Sequence, residues 1–456
     1  MRSSSNNSLL ALMMYVNQPV KAKSTLRPSR SRGLLRSDKM LRNAFYIILN
    51  SGAQSALGFA FWIITARVFS TGDVGRASTL ISAVSLLSFI GMLGLNTTFV
   101  RYLPVTAEWN RLVTAGVTLV AVCSGAVALA YVMATPKIAP SVAFIAHSPL
   151  LTVGFVLITV ATAVNILTDS VFIASGKSVY NAIVDGIVGG SFRIALVAVF
   201  AGGGTFALFG VASAGYVSAA VISLILIVRV LKWRPSLRNS RSALKPVIGF
   251  SGANYAGNVL NYLPGLAVPL IILNRLGPDA EAYYYVAFQL AFLLWTATYA
   301  VEQAFLAEGA GDGRMSNAVL VRSLRILVAF CVPGLLVLVL LSHFLLLAFG
   351  AKYSAHSEGT LLALAAAVLP IAASNWFLTV LRLANRLKAI VWSNAAYGTA
   401  VVGLAWVLAP HGLTAVSLSW PIGACVGAIV AGVPAIGVLR RNRRDAMRTH
   451  SLPVSV

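Results

Sequence analysis

The stretch that decides the fold runs from Asn43 to Pro104 and reads NAFYIILNSGAQSALGFAFWIITARVFSTGDVGRASTLISAVSLLSFIGMLGLNTTFVRYLP. Within it, two apolar segments flank a short polar elbow, Ser70–Arg76. A helix that crosses the hydrocarbon core of a bilayer needs about 20 mostly apolar residues, and each segment supplies them. The stretch therefore predicts a membrane hairpin of two helices joined at the elbow.

Composition extends this prediction to the whole chain. Of 456 residues, 58% are hydrophobic and only 10% are charged, whereas a soluble domain carries roughly 25% charged residues. The net charge of +23 comes from Lys and Arg in the tails and in alternate loops, which is the pattern of membrane insertion and not of a nucleic-acid-binding face. We therefore predict an all-α polytopic membrane protein and expect no nucleic-acid partner.

Ten further apolar segments follow the hairpin and bring the prediction to about twelve transmembrane helices. They lie at approximately 112–134, 150–173, 179–201, 205–230, 246–273, 282–306, 320–348, 359–382, 388–409 and 412–438.

The basic residues predict the orientation. Of the 35 Lys and Arg, 29 fall on the side of the N-terminus, one lies inside a span, and five lie on the opposite side. Because basic residues stay in the cytoplasm, we expect both termini to be cytoplasmic in a plasma (inner) membrane. The five residues predicted to lie outside are Arg67, Arg76, Lys137, Arg275 and Lys352.

The second half of the sequence repeats features of the first. Phe250–Asn254 echoes Asn50–Gln54 at an offset of 200 residues, and Asn274–Asp279 echoes Ala66 and the elbow after it at an offset of 208. Each half holds six predicted spans, so both halves begin on the same side, as in a parallel repeat. We expect two parallel six-helix lobes around a central cavity. The predicted segments are a disordered basic cytoplasmic tail (1–42), the N-terminal lobe (43–231), a basic linker (232–245), the C-terminal lobe (246–438) and a second basic tail (439–456).

The hairpin also resembles a known family. Its Ala66–Arg67 pair, its Asp73–Gly75 elbow and Gly94-Leu95 leading to Val100–Arg101 are similar to the opening of the polysaccharide-type flippases. These belong to the multidrug/oligosaccharidyl-lipid/polysaccharide exporter superfamily. The family's Leu-Gly-Pro is present in the second copy, as Leu276–Pro278, and is absent from the first.

The resemblance implies a function. Members of the family flip polyprenyl-diphosphate-linked oligosaccharide from the cytoplasmic to the outer leaflet for surface polysaccharide assembly. We therefore expect lipid-linked oligosaccharide and membrane lipids as partners, together with a polysaccharide polymerase and glycosyltransferases. We expect no cofactor, and transport coupled to an H⁺ or Na⁺ gradient by alternating access.

Polar side chains within the predicted spans mark candidate sites, because burying them in hydrocarbon is costly. The turn at Ser175–Lys177 places Asp169 and Asp185 at similar depth, about 10–14 Å from the turn. Asn165 and Asn181 each precede one of them by four residues, on the same helix face. The carboxylates either share a cation or a proton along a cavity, or reach the interface and neutralise Lys177.

Arg193 is the only basic residue well inside a predicted span. It lies about 12 Å deeper than Asp185 and, on a regular α-helix, about 80° around the helix from it. An arginine there suits a diphosphate, because its planar guanidinium makes bidentate contacts.

The predicted site residues form two sets. Those predicted to bind substrate are Arg193, Asn50, Asn254, Arg67 and Arg275. Those predicted to couple ions are Asp169, Asp185 and Glu302. The alternatives are hydrogen bonding between helices for the asparagines, snorkelling for the two outer arginines and an ion pair with Arg322 or Arg325 for Glu302.

No motif for catalysis or metal binding stands out. The sequence has no Gly-rich phosphate loop ending in Lys and no nucleophile–base pair, and its three cysteines have no disulfide or metal spacing. We expect neither an enzyme nor a metal site. Two rival functions are a drug or cation antiporter of the same superfamily and an integral-membrane polysaccharide polymerase or ligase. The short outer loops argue against the enzyme.

Overall fold

The computed structural model describes residues 56–200, 202–236, 255, 259–311 and 317–450, and these ranges contain helices and no β-strand. The helices of the first half are α1 (Ala56–Val68), α2 (Thr71–Gly91), α3 (Leu95–Tyr102), α4 (Trp109–Ile138), α5 (Pro149–Ala174), α6 (Val179–Val199) and α7 (Gly204–Val230). Those of the second half are α8 (Val259–Arg275), α9 (Pro278–Gly311), α10 (Asn317–Leu340), α11 (Ser342–Leu347), α12 (Ala351–Ala365), α13 (Val368–Leu383), α14 (Leu387–Leu408), α15 (Leu413–Ser417) and α16 (Ser419–His450).

These helices account for the predicted spans. Nine segments of the described chain are long and apolar enough to cross a membrane, and α1 and α8 are shorter apolar helices. Together with the 34-residue α9 they follow the order of the twelve predicted spans. The all-α polytopic prediction is therefore confirmed. Helices suit this setting because each satisfies its backbone polar groups internally, where the bilayer offers no water.

The elbow is shorter than predicted. We expected a polar turn over Ser70–Arg76, but α2 already begins at Thr71. Ser70 has extended backbone angles, and its Oγ accepts a hydrogen bond from the Asp73 backbone N–H at 3.1 Å. A serine at this position satisfies one of the free N–H groups of the first helical turn. The polar residues therefore begin a helix instead of forming a loop.

Three other boundaries differ from the prediction. The second segment of the hairpin is interrupted, because Leu93 and Gly94 have positive φ angles of 51° and 74° and end α2 before α3 begins. The span predicted at 320–348 breaks at Leu341, between α10 and α11. Residues 351–358, predicted to be an outer loop, are the first turns of α12.

Buried apolar side chains join the two halves at one end of the bundle. We call it the elbow end, where α1 turns into α2 and α8 into α9; the tail end is where α5 turns into α6. The cluster at the elbow end includes Phe61, Trp62 and Val74 from the first half and Tyr284, Tyr285 and Trp420 from the second. At the tail end each half has its own cluster, with Met92, Phe99 and Phe172 in the first and Phe305, Leu378 and Val380 in the second. Among the described residues, the halves therefore share a core at the elbow end and have separate cores at the tail end.

The two elbows meet each other. Thr71 Oγ1 donates a hydrogen bond to Asp279 Oδ1, and these residues are 208 positions apart, the offset of the sequence echo. Such a contact places the repeat axis between them. Gly75 allows the close approach of α2 to α9, since a Cβ at this position would overlap the Pro278 carbonyl oxygen. The contact closes the elbow end between the halves.

Candidate substrate and ion site

Two carboxyl groups face each other across the α5–α6 hairpin. Asp185 is 9% exposed, and its carboxyl group lies beside that of Asp169. Asn165 Nδ2 donates to Asp185 Oδ1 at 2.9 Å, and Asn181 Nδ2 donates to the Asp169 backbone carbonyl at 3.2 Å. Each asparagine thus reaches across to the other helix. Two enclosed carboxyl groups side by side repel each other when both are ionised, and a proton on one of them would let it donate a hydrogen bond to the other.

The carboxyl pair does not neutralise the lysine of the turn. Among the described residues neither Asp169 nor Asp185 forms an ion pair with Lys177. One oxygen of each carboxyl, Asp169 Oδ1 and Asp185 Oδ2, is enclosed without a conventional donor among the described residues. This enclosed arrangement differs from that expected of carboxylates at a membrane interface.

A π-helical segment shapes α6 between the carboxyl pair and the arginine. Residues Ala182–Gly189 are wound as a π-helix, and regular α-helix resumes at Gly190. The expected angle of about 80° between Asp185 and Arg193 assumed 100° per residue throughout and does not apply here. Such π segments are uncommon in proteins, and those that occur often lie at functional sites.

Arg193 lies half-buried near the elbow end of α6. Its Nε donates to the Gly189 carbonyl at 3.2 Å, and its guanidinium carbon lies 5.2 Å from the centre of the Tyr216 ring on α7. Gly215 leaves room for the side chain, since a Cβ there would lie 2.8 Å from Arg193 Nε. Arg193 also interacts electrostatically with Asp185. The arginine therefore contacts a backbone carbonyl and an aromatic ring, and it forms no ion pair with a carboxylate among the described residues.

Arg193 is close to the second half of the chain, a feature that the sequence did not reveal. Tyr285 on α9 interacts electrostatically with Arg193, Tyr216 and Glu281, and its ring lies 4.7 Å from that of Trp62 on α1. One aromatic side chain from each half, Tyr216 and Tyr285, thus lies near the arginine. No sequence spacing predicts these contacts, because they join helices far apart in the chain.

The other predicted cations have protein partners at the elbow end. Arg67 donates from Nε at 3.1 Å and from Nη2 at 2.8 Å to the Ala348 carbonyl. Arg275 lies with its guanidinium carbon 4.0 Å from the centre of the Trp406 ring. Both side chains are exposed, and no recorded contact brings either to Arg193.

Three predicted site residues cannot be placed with the others. Asn50 and Asn254 lie outside the described residues, and Glu302 lies in α9 with a side chain outside them. No group of three or more potential metal ligands occurs among the described His, Cys, Asp and Glu residues.

Comparisons with known proteins agree with this architecture. A sequence profile of the family described as "Polysaccharide biosynthesis protein" matches residues 64–358, and no curated protein matches the chain. Lipid II flippase MurJ in an inward closed conformation is similar in structure, with a TM-score of 0.67 at 13% identity, over 85% of this chain and 86% of that one.

Multidrug transporters of the MATE family within the MOP superfamily share the fold as well. An inward-facing structure has a TM-score of 0.63 at 13% identity and covers 89% of this chain and 99% of its own. An outward-facing structure has a TM-score of 0.61 at 13% identity and covers 92% and 100%. The chain therefore belongs to the polysaccharide biosynthesis protein family and has the fold of the multi-pass transporters of the MOP superfamily.

Proposed function

We propose that this protein flips polyprenyl-diphosphate-linked oligosaccharide from the cytoplasmic to the outer leaflet of a plasma membrane. The observation that carries the proposal is Arg193, a cation held inside a transporter fold without a tight ion pair among the described residues. A guanidinium at this depth costs free energy, so a charge retained there indicates a functional role. A diphosphate suits it as a partner, because the planar guanidinium makes bidentate contacts with phosphate. The family assignment supports a polysaccharide precursor as the cargo.

The aromatic side chains around Arg193 suit the sugar next to the diphosphate. Tyr216 and Tyr285 lie near the guanidinium, and Trp62 packs against Tyr285. Such rings combine an apolar surface with a hydrogen-bonding group. The polyprenyl chain would remain in the bilayer. Arg67 and Arg275 remain proposed contacts near the exit, where each would have to leave its present protein partner.

The Asp169–Asp185 pair is the proposed coupling site. In this proposal the two enclosed carboxyl groups share one proton, because two negative charges side by side repel each other. Arg193 interacts electrostatically with Asp185, so a diphosphate that engages the arginine would change the electrostatic balance at the pair. This gives a physical link between substrate binding and proton binding. In this proposal the elbow end lies outside, because 29 of the 35 Lys and Arg are predicted to lie on the opposite side. The two six-helix lobes rock about the cavity between them.

Coupling has a direct test. Asp185→Asn should lower export driven by a pH gradient by about tenfold or more, because the amide cannot exchange a proton. Glu108→Gln is the matched control, since Glu108 forms an exposed ion pair with Arg111 and such pairs contribute little. Unchanged gradient-driven export by the Asp185 variant would exclude the pair as the coupling site.

A drug or cation antiporter is the second candidate. The carboxyl pair and the similarity to multidrug MATE transporters favour it, because carboxylates suit cationic cargo. In such an antiporter Arg193 would repel the substrate. The polymerase or ligase alternative has weaker support, since the similar folds belong to transporters.

Experiments in cells can distinguish the flippase from the antiporter. Depletion of the protein should cause lipid-linked oligosaccharide to accumulate on the cytoplasmic leaflet, and expression should leave efflux of a fluorescent cationic dye unchanged. Dye efflux that requires the protein, without any accumulation of lipid-linked sugar on depletion, would replace the flippase proposal with the antiporter.

A further inference from the structure

We propose that Glu281 is a second proton-binding site, located where the two halves meet, and that a proton bound there keeps the elbow end closed. This inference rests on the proposed alternating access and concerns a residue outside the carboxyl pair. The proton would be released to, and taken up from, the same side of the membrane. It would therefore control opening without adding to net proton transport.

Within the described part of the chain, Glu281 has no charged partner at this contact. It lies in the first turn of α9 and is 0% exposed. Its Oε1 lies 3.2 Å from Ser78 Oγ on α2, and its Oε2 has no hydrogen-bond partner among the described residues. Within that part of the chain it also forms no ion pair. Burying an ionised carboxylate without a cation is strongly unfavourable, so this environment favours the neutral acid.

The hydroxyl of Ser78 supports the same protonation state. Ser78 Oγ also lies 2.9 Å from the Gly75 carbonyl oxygen, and a hydroxyl has only one hydrogen to donate. If that hydrogen is donated to Gly75, the contact with Glu281 needs a proton on the carboxyl group. If it is donated to Glu281 instead, Oε2 still lacks a donor. Either assignment leaves the carboxylate poorly solvated in the closed state.

Several titratable or charged groups lie on the elements around Glu281, and of these Tyr284 and Tyr285 interact with it electrostatically. Those on neighbouring elements are Asp73 and Arg76 on α2, Asp279, Tyr283, Tyr284 and Tyr285 on α9, Arg193 on α6, Tyr353 and His356 on α12, and Tyr397 on α14. Tyr285 interacts electrostatically with both Glu281 and Arg193. The exposed His356 stacks on Tyr283 at 4.9 Å, so any test has to separate its titration from that of Glu281.

Opening would change the state of Glu281. Separation of α2 from α9 would bring water to the carboxyl group, where the ionised form is stable and the proton leaves as hydronium. The open state binds one proton fewer than the closed state. By linkage, the ratio of open to closed protein therefore rises by up to about tenfold for each unit of increasing pH. Acid on the elbow side would thus hold this end closed, and alkaline pH would favour opening.

The test measures the distance across the elbow end. Nitroxide labels are attached to cysteines replacing Lys137 in the first half and Lys352 in the second, both exposed, and pulsed electron resonance gives their separation in nanodiscs at about pH 5 and about pH 9. The native cysteines to be replaced are Cys123, Cys331 and Cys425. Flipping of lipid-linked oligosaccharide is measured with the same protein in proteoliposomes.

The variants separate Glu281 from the other titratable groups. In wild type the long-distance population should grow at alkaline pH. E281Q, a neutral mimic, should keep the short distance at both pH values. E358Q is the matched control on the same side, where Glu358 accepts a hydrogen bond from Ser342 at 2.9 Å, and it should respond as wild type does. If E281Q fails to fold, Ser78→Ala should instead raise the long-distance population at each pH.

Two results would overturn the inference. One is a wild-type distance that does not change with pH. The other is an E281Q response equal to that of wild type, which would assign the effect to His356 or another group. Either result together with intact flipping refutes the role of Glu281 and leaves the proposed function standing. Loss of flipping in every form of the protein, wild type included, would refute the proposed function itself.

Discussion

Replacing Arg193 with alanine should abolish export while the protein still folds. The change removes the hydrogen bond to the Gly189 carbonyl and the contact with the Tyr216 ring. A hydrogen bond to a charged group contributes about 1.5–3 kcal/mol and a cation–π contact about 0.5–2 kcal/mol. The variant also avoids the cost of a guanidinium inside the membrane, at least about 2.5–3.5 kcal/mol. These changes largely offset, so we expect a similar amount of folded protein.

Transport should respond much more strongly. A diphosphate that loses one charge-assisted contact loses about 1.5–3 kcal/mol of binding, which corresponds to about 10–150-fold. Arg67 and Arg275 are not placed to replace it, because their side chains contact the Ala348 carbonyl and the Trp406 ring. Arg193→Lys should restore only part of the export, since an ammonium lacks the planar fork.

The assay compares export in cells with the amount of folded protein in the membrane. Export is measured as lipid-linked oligosaccharide accessible on the outer leaflet. Arg111→Ala is the matched control, because Arg111 is 42% exposed and forms an exposed ion pair with Glu108, and it should export as wild type does. Full export by Arg193→Ala at normal protein levels would make Arg193 structural and would refute this substrate site.

Two further predictions concern topology and the elbow contact. Ala355→Cys, on an exposed position of α12, should react with an impermeant thiol reagent added to intact cells, and Arg234→Cys should not; the reverse pattern would invert the orientation. Gly75→Ala should weaken closure of the elbow end and reduce export, because its Cβ would overlap the Pro278 carbonyl and overpacking of this kind costs about 1–3 kcal/mol. Gly210→Ala, with nothing within 4 Å of the added Cβ, should behave as wild type; equal behaviour of the two variants would contradict the tight contact.

The approximate number and the order of the membrane spans followed from hydropathy, because a chain in a bilayer has to satisfy its backbone groups within each span. The ends of the helices did not follow so directly. Ser70 moved the start of α2 into the predicted elbow by capping it. Leu93 and Gly94 ended α2 early through their positive φ angles. Local hydrogen bonds and backbone angles decide such boundaries, and mean hydropathy does not report them.

The candidate site was predicted in part. Helical spacing placed Asp169 and Asp185 at similar depth, and the structure brings their side chains together. The same spacing did not show the π-helical segment before Arg193. It also did not show that each asparagine pairs with the opposite helix. These features depend on how two helices pack, which a single-helix periodicity does not contain.

Glu281 was missed because its burial depends on elements about 200 residues apart in sequence. One signal was available: the offset of 208 residues aligns Glu281 with Asp73, so each elbow carries a carboxyl group at the same place. Asp73 accepts hydrogen bonds from Ser70 and from Thr205 at 2.6 Å each, whereas among the described residues the Glu281 side chain contacts the Ser78 hydroxyl alone. The difference between the two copies lies in their tertiary partners.

The most direct test of the central claim is flipping by the purified protein alone. Polyprenyl-diphosphate-linked oligosaccharide is placed in both leaflets of sealed proteoliposomes, and a membrane-impermeant glycan-cleaving enzyme is added outside. With wild-type protein, the fraction cleaved should rise from about half to nearly all, because inner-leaflet molecules become accessible. With Arg193→Ala it should stay near half. Cleavage that stops at half with folded wild-type protein would contradict the claim that this chain flips lipid-linked oligosaccharide.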